Sequence, residues 1–314
     1  MSARRPAIRA GAAVAAGALA IVLAGCAVTA PASTGAAESE RPQVVVTTNI
    51  LGDVVDELVG EQAEVMTLMR PNADPHSFEI SAQEAAAMES ADLIVANGLG
   101  LEEGLAQHVE AAAAAGVPIL EAGEQVDVLE YSSEDASGAD PHFWTDPTQM
   151  VAVVEALRAE LGAIDGIDAT ALDAAADAYA GTLTELDADL AARFGAIDPA
   201  HRALVTNHHV FGYLAERYGF RIIGAIVPGG TTLAAPSASD LADLAGAVEE
   251  AGVPVIFAES SQPDRLVQVL AEEAGIDVRV ETLFTESLTG PGEGAETYVQ
   301  MLEANADRIE AALR

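Results

Sequence analysis

The chain contains no lysine. All 14 of its basic residues are arginine, set against 50 Asp and Glu, and the formal net charge is −36. So acidic a surface excludes nucleic acid as a partner, because phosphate binding needs a basic patch. It also repels anionic lipid headgroups, so association with a membrane must be covalent or through another protein. Aromatic residues make up only 4% while half of the chain is hydrophobic, so the core must be built mostly from Ala, Val, Leu and Ile. Cys26 is the single cysteine, which excludes an internal disulfide. Histidine is also scarce, with six in 314 residues, and its placement is therefore informative.

Two of the histidines sit in matching settings, Asp74-Pro75-His76 and Asp140-Pro141-His142. Proline fixes the backbone and keeps the residue before it extended, so each imidazole is presented from a stiff turn. His208 and Glu286 lie in two further turns. Three imidazoles and one carboxylate, brought together, make a closed four-coordinate site for a divalent metal. His108, on a helix face among Ala and Glu, and His201, at a helix-to-strand turn, read as structural or exposed.

The N-terminus offers a covalent route to a membrane. Arg4, Arg5 and Arg9 precede an apolar run from Ala10 to Ala24. That run falls short of the ~20 apolar residues needed to span a bilayer, and residues 1–25 have the layout of a signal peptide. Leu23-Ala24-Gly25-Cys26 resembles the lipobox of bacterial lipoproteins, in which Cys26 is lipidated and becomes the first residue; the alternative is an ordinary cleaved signal. Residues 26–42, small and polar with Pro31 and Pro42, read as a flexible tether.

From Gln43 onward, β-branched runs alternate with Ala/Leu-rich stretches, the pattern of a parallel sheet flanked by helices. Strands are expected at Gln43–Thr48, Glu64–Leu68, Asp92–Ala96 and Val117–Leu120. A second series is expected at Ala203–Thr206, Arg221–Ile226, Pro254–Ala258 and Asp277–Val280. Between them Leu172, Ala176, Tyr179, Leu183, Leu186, Leu190 and Phe194 recur at helical spacing, with Gly195 as a stop. This predicts one amphipathic helix ~39 Å long, either a connector or a surface helix of one domain. The expected fold is α/β: lobes at 43–165 and 197–314, each with a parallel sheet flanked by helices, joined by one long rigid helix within 166–196. Ligands of such sheets bind beyond the carboxyl ends of the strands, where His76, His208 and Glu286 fall. His142 follows a long acidic loop. Asp146 is expected to cap a helix starting at Pro147, and Trp144 to pack beneath the site.

Several motifs carry a family resemblance. Pro71-Asn72-Ala73-Asp74-Pro75-His76-Ser77-Phe78-Glu79, Asp140-Pro141-His142-Phe143-Trp144-Thr145-Asp146-Pro147 and His208-His209-Val210-Phe211-Gly212-Tyr213 resemble those of the zinc/manganese-type (cluster A-I) solute-binding proteins of bacterial ABC importers. Ile256-Phe257-Ala258-Glu259 and Phe284-Thr285-Glu286-Ser287-Leu288 extend the resemblance, in order, over the rest of the chain. It implies a monomer anchored by lipid to the outer face of the cytoplasmic membrane. Such a protein is not an enzyme; it carries a metal ion from between its lobes to an ABC permease. The implied ligands are His76, His142, His208 and Glu286, with His208 selected over His209 by its place three residues before the Phe of Phe-Gly-Tyr. Glu286 stands where the family more usually has Asp. Glu259 and His209 are implied as neighbours of the ligands, Glu259 orienting a histidine or capping a helix.

Three imidazoles and a carboxylate favour Zn²⁺ over Mn²⁺, which prefers more oxygen ligands. Many zinc-importing relatives carry a His-rich loop before the second motif, whereas Glu121–Ala139 has none, and this points the other way. A zinc hydrolase is the rival class, although the chain has no His-Glu-x-x-His helix and a fourth protein ligand leaves no place for an activated water. A metal-binding surface adhesin or passive buffer is a third.

Overall fold

The β-branched runs form strands because both of their faces are covered. The computed structural model describes residues 41–131, 136–262, 265–273 and 279–314. The expected signal peptide, Cys26 and the tether up to residue 40 lie outside the described residues, as does the start of the strand expected at Asp277–Val280. In the first half, β1 (Gln43–Val46), β2 (Glu64–Thr67), β3 (Leu93–Ala96) and β4 (Ile119–Glu121) make a sheet of order β2-β1-β3-β4. The second half repeats the order with β5 (Ala203–Thr206), β6 (Arg221–Ala225), β7 (Val255–Glu259) and β8 (Arg279–Leu283) as β6-β5-β7-β8. Every pairing in both sheets is parallel.

The helices of the first half are α1 (Asn49–Val59), α2 (Ala82–Met88), α3 (Ala106–Ala115) and α4 (Pro147–Gly162). After α5 (Ala169–Gly195) come α6 (Gly212–Tyr218), α7 (Ala238–Ala251), α8 (Arg265–Glu273) and α9 (Tyr298–Leu313). Asp146 caps α4 as expected, accepting from Thr148 N. The strand expected to reach Thr48 stops at Val46, because the Thr48 side chain accepts from Leu51 N and caps helix α1 at Asn49. Helix α3 begins only at Ala106, because the Glu102 carboxylate turns inward and accepts from Thr47 Oγ1 and the Asn97 and Gly98 amides. Among the described residues no helix is long and apolar enough to cross a membrane.

Helix α5 is the connector. All seven residues of its expected apolar face are buried, and Gly195 is its last residue rather than the stop beyond it. It packs on α1 and α4 of the first half and on α6 and α9 of the second. The hydrophobic core therefore does not divide at the lobe boundary. A single cluster runs from Val46 and Leu58 through Leu183 and Phe194 to Phe257 and Ile309. Smaller clusters cover the outer faces of the two sheets. Parting the lobes would open part of this shared core, since interiors pack too densely to deform continuously.

Where α1 meets α9, Asp53 Oδ2 accepts from the Tyr298 amide at 2.8 Å. Burial pushes the Asp53 carboxyl up to about 6, against that hydrogen bond and with help from Glu57 and Asp56. An acid with a raised folded-state pKa adds stability at low pH and loses it as pH rises through about 6. Asp53→Asn should therefore stabilise the metal-free protein by about 1–2 kcal/mol at pH 7.5 and by nothing measurable at pH 4. Urea denaturation at the two pH values checks this.

Candidate metal centre

His76 and His142 emerge from the same turn. In each, the aspartate two residues upstream folds its Oδ1 back to accept the histidine's own amide, at 2.9 Å from Asp74 and 3.0 Å from Asp140. The intervening proline has fixed φ and no N–H of its own, so this aspartate-closed turn forms without competition. The two aspartates then diverge. Asp140 Oδ1 also accepts from His142 Nδ1 at 2.7 Å, which orients the ring and turns Nε2 toward Glu286 Oε1. Asp74 instead gives its second oxygen to Ser77 Oγ, Thr232 Oγ1 and Gln262 Nε2, and His76 Nδ1 has no hydrogen-bond partner among the described residues.

His208 stands in the loop after β5, its carbonyl held by Thr206 Oγ1 at 2.7 Å and by the Val210 amide. Its Nδ1 lies 3.0 Å from Glu259 Oε2 at the end of β7, an ion-pair distance outside good hydrogen-bond alignment. Glu286 follows β8 on a segment clamped from several sides. Asn305 of α9 bonds both the amide and the carbonyl of Phe284, and Trp144 Nε1 donates to Thr285 O at 2.8 Å. Asn49 donates to Ser287 Oγ and accepts from the Leu288 amide. Glu286 belongs by sequence to the second lobe, yet Asn49 and Trp144 of the first lobe fix it on both flanks.

The four side chains converge. Glu286 Oε1 lies 3.0 Å from His76 Nε2, 3.0 Å from His208 Nε2 and 3.3 Å from His142 Nε2. The Nε2 atoms of His76 and His142 are 3.4 Å apart, and all four donor atoms lie within 4.8 Å of one another. None of the four residues is more than 2% exposed. Burial alone would raise the Glu286 carboxyl, but His208, His142 and His76 hold it well below the usual carboxylate range. Burial would lower His142 and His208, but Asp140 and Glu286 keep the first raised, and Glu286 with Glu259 keeps the second well above the ordinary imidazole value. The cluster thus attracts positive charge into a dry place. A cation could be held there by one atom from each residue.

The other anticipated residues lie around this set. Glu259 is outside the four-atom cluster; its carboxyl is pushed up to about 7 by burial and the nearby Glu286 charge, against the pull of His208. His209 is buried beside the Tyr131 ring and is not one of the converging donors. Trp144 packs edge-on to the His142 ring, with centroids 5.3 Å apart. His108 is half-buried on α3, and His201 is exposed. Gly212 explains part of the Phe-Gly-Tyr motif, because a Cβ there would come within 2.3 Å of Asp140 Oδ2 and displace the group that orients His142. Sequence reasoning missed the work of Asp74 and Asp140, although an aspartate two residues before each histidine was a usable signal. It also missed Asn49, Thr232 and Gln262, which no local pattern marks.

Comparison with known proteins agrees with this geometry. The profile of the family described as zinc-uptake complex component A, periplasmic, matches residues 44–312. The manganese-binding lipoprotein MntA of Halalkalibacterium halodurans is 29% identical over 296 residues, covering 94% of this chain and 95% of its own. The zinc-binding protein TroA of Treponema pallidum is 30% identical over 285 residues, covering 90% and 92%. The solved structure of TroA superposes with a TM-score of 0.81 over 87% of this chain and 99% of its own, at 30% identity. A manganese-bound periplasmic metal-binding protein of Candidatus Liberibacter asiaticus gives 0.78 at 26% identity, over 87% and 100%. Other relatives are named substrate-binding lipoproteins of metal ABC transporters. The chain belongs to the periplasmic zinc-uptake component family, the metal-binding subunits of bacterial ABC importers.

Proposed function

We propose that this protein is a lipid-anchored extracytoplasmic receptor that captures one divalent transition metal as cargo, Zn²⁺ in preference to Mn²⁺, and hands it to an ABC permease for import. His76, His142, His208 and Glu286 are its ligands. The observation that carries the reading is the spacing of the donor atoms. A tetrahedral zinc with bonds of about 2.0–2.1 Å sets its ligand atoms about 3.3 Å apart. Four of the separations in the cluster run from 3.0 to 3.4 Å. Three imidazole nitrogens and one oxygen also suit zinc better than manganese, which favours oxygen and a larger shell.

One observation favours manganese as the second reading. Glu286 Oε2 is buried without a hydrogen-bond partner among the described residues, and as a further donor it would raise the shell to five. The lipid anchor rests on Leu23-Ala24-Gly25-Cys26 and on the lipoprotein relative MntA. Delivery to a permease rests on the family, and the expected form is a monomer.

Glu286→Ala removes the only carboxylate among the ligands and should lower zinc affinity at least about a hundredfold, against about tenfold for Glu259→Gln. Chelator competition measures both. In the same assay zinc should displace manganese from the wild-type protein; the reverse order would select the five-donor reading. Saturating zinc at about a thousand times its dissociation constant should add about 4 kcal/mol to stability.

Metal and protons compete for the imidazole nitrogens. His142 and His208 both hold protons more tightly than an ordinary imidazole. Affinity should therefore already be falling as pH drops below neutrality, and be far weaker at pH 5 than at pH 7.5. Equal affinities at the two values would contradict imidazole ligation.

A further inference from the structure

Two kinds of contact cross between the lobes near the site. One kind is buried: Asn49 on Ser287 and Leu288, Trp144 on Thr285 O, and Tyr213 OH on Asp140 O. The other lies at the edge and is only partly buried. There Asp74 Oδ2 accepts from Thr232 Oγ1 and from Gln262 Nε2, each at 2.7 Å, and Tyr131 OH donates to Gly230 O at 3.0 Å. Thr232 and Gly230 come from the segment between β6 and α7, and Gln262 from the turn after β7. Two separate loops of the second lobe thus end on a single carboxylate oxygen of the first.

That oxygen belongs to the turn that presents His76. Asp74 is itself buried, and its Oδ1 already holds the His76 amide. Gln262 follows Ser261, whose Oγ donates to Glu259, the group behind His208. The junction therefore links the support of His76 to the support of His208. Hydrogen bonds to an ionised carboxylate are about twice as strong as neutral ones. Parting these lobes would also leave a buried charge short of donors. The loop is shaped for this approach: Gly229 has φ of +91°, and a Cβ on Gly230 would meet the Tyr131 ring at 2.5 Å.

We propose that Thr232 and Gln262 form a clasp on Asp74 that sets how fast the metal leaves. The proposal rests on the metal-binding reading above. Both are positioning residues: they touch none of the four donor atoms, and they act by keeping the turn of His76 against the lobe that carries His208. Asp74 in the first Asp-Pro-His motif is thereby committed across the cleft, where Asp140 in the second is committed to its own imidazole.

The test compares Thr232→Val, Gln262→Leu, the pair, and Thr232→Ser in the zinc-loaded protein. Zinc dissociation is followed by stopped-flow transfer to excess chelator, association with a fluorescent indicator, and stability by melting of the metal-free form. The pair should still bind one zinc and associate within about twofold of wild type, but release it about tenfold faster or more, each single change contributing part. Thr232→Ser, which keeps the hydroxyl, should release at the wild-type rate. An unchanged release rate in the pair overturns the clasp, as does Thr232→Ser releasing as fast as Thr232→Val. A melting loss in the metal-free pair large enough to account for the faster release also overturns it, by making the role merely structural. A wild-type protein that binds neither zinc nor manganese overturns the metal reading and the clasp together, a result distinct from a loaded pair variant with wild-type release.

Discussion

One carboxylate oxygen, Glu286 Oε1, faces three imidazole nitrogens at 3.0–3.3 Å in a place that water does not reach. Four groups of this kind cannot be gathered in the dry without compensation, since each prefers water to an apolar interior. The fold supplies part of that compensation by pairing opposite charges and by holding the outer ring nitrogens of His142 and His208 against Asp140 and Glu259. A bound cation would supply the remainder. Much of the surrounding hydrogen bonding serves to keep Glu286 in position. Asn305 ties its strand end to α9, and Trp144 and Asn49 tie its flanks to the other lobe.

Because of those ties, the division of ligands between lobes is not the division of the chain. Counted along the sequence, two of the four converging side chains belong to each half. Counted by attachment, Glu286 is fastened to the side that carries His76 and His142, and His208 comes to them from the loop after β5. Three donors thus form one attached set, and His208 is held to it through Tyr213, whose hydroxyl donates to Asp140 O. The partly buried contacts of Asp74 and Tyr131 to the second lobe add to that tie at the edge of the site.

The alternation of strands and helices, the long connecting helix and the histidines were legible in the sequence because each rests on local chemistry. Leu172 to Phe194 mark one face by spacing alone, and the two Asp-Pro-His motifs announce their turns. Starts of elements were less legible where a polar side chain turned inward. Glu102 looks like a first-turn helical acid but is spent on the Thr47 hydroxyl and two amides. Thr48 looks like strand and is a cap. The lobes looked separable because their strand series are separate, whereas the side chains that fuse their cores, from α1, α5 and α9, come together only in three dimensions. The cross-lobe partners of Asp74, 158 and 188 residues away along the chain, could not have been found from any local pattern.

The surface and the site divide the task of selecting a cation. A charge of −36 without a single lysine draws cations of every kind toward the molecule, so it can raise the rate of encounter but cannot choose among them. Choice requires ligands that discriminate by softness and geometry, and these are kept out of water and away from the acidic exterior. Abundant sodium, magnesium and calcium ions are hard and oxygen-seeking, and three imidazole nitrogens offer them little. A borderline metal gains most from the same set. Packing the nitrogens behind a dry shell, instead of placing more carboxylates at the mouth, would turn a general attraction for positive charge into the transition-metal preference proposed above.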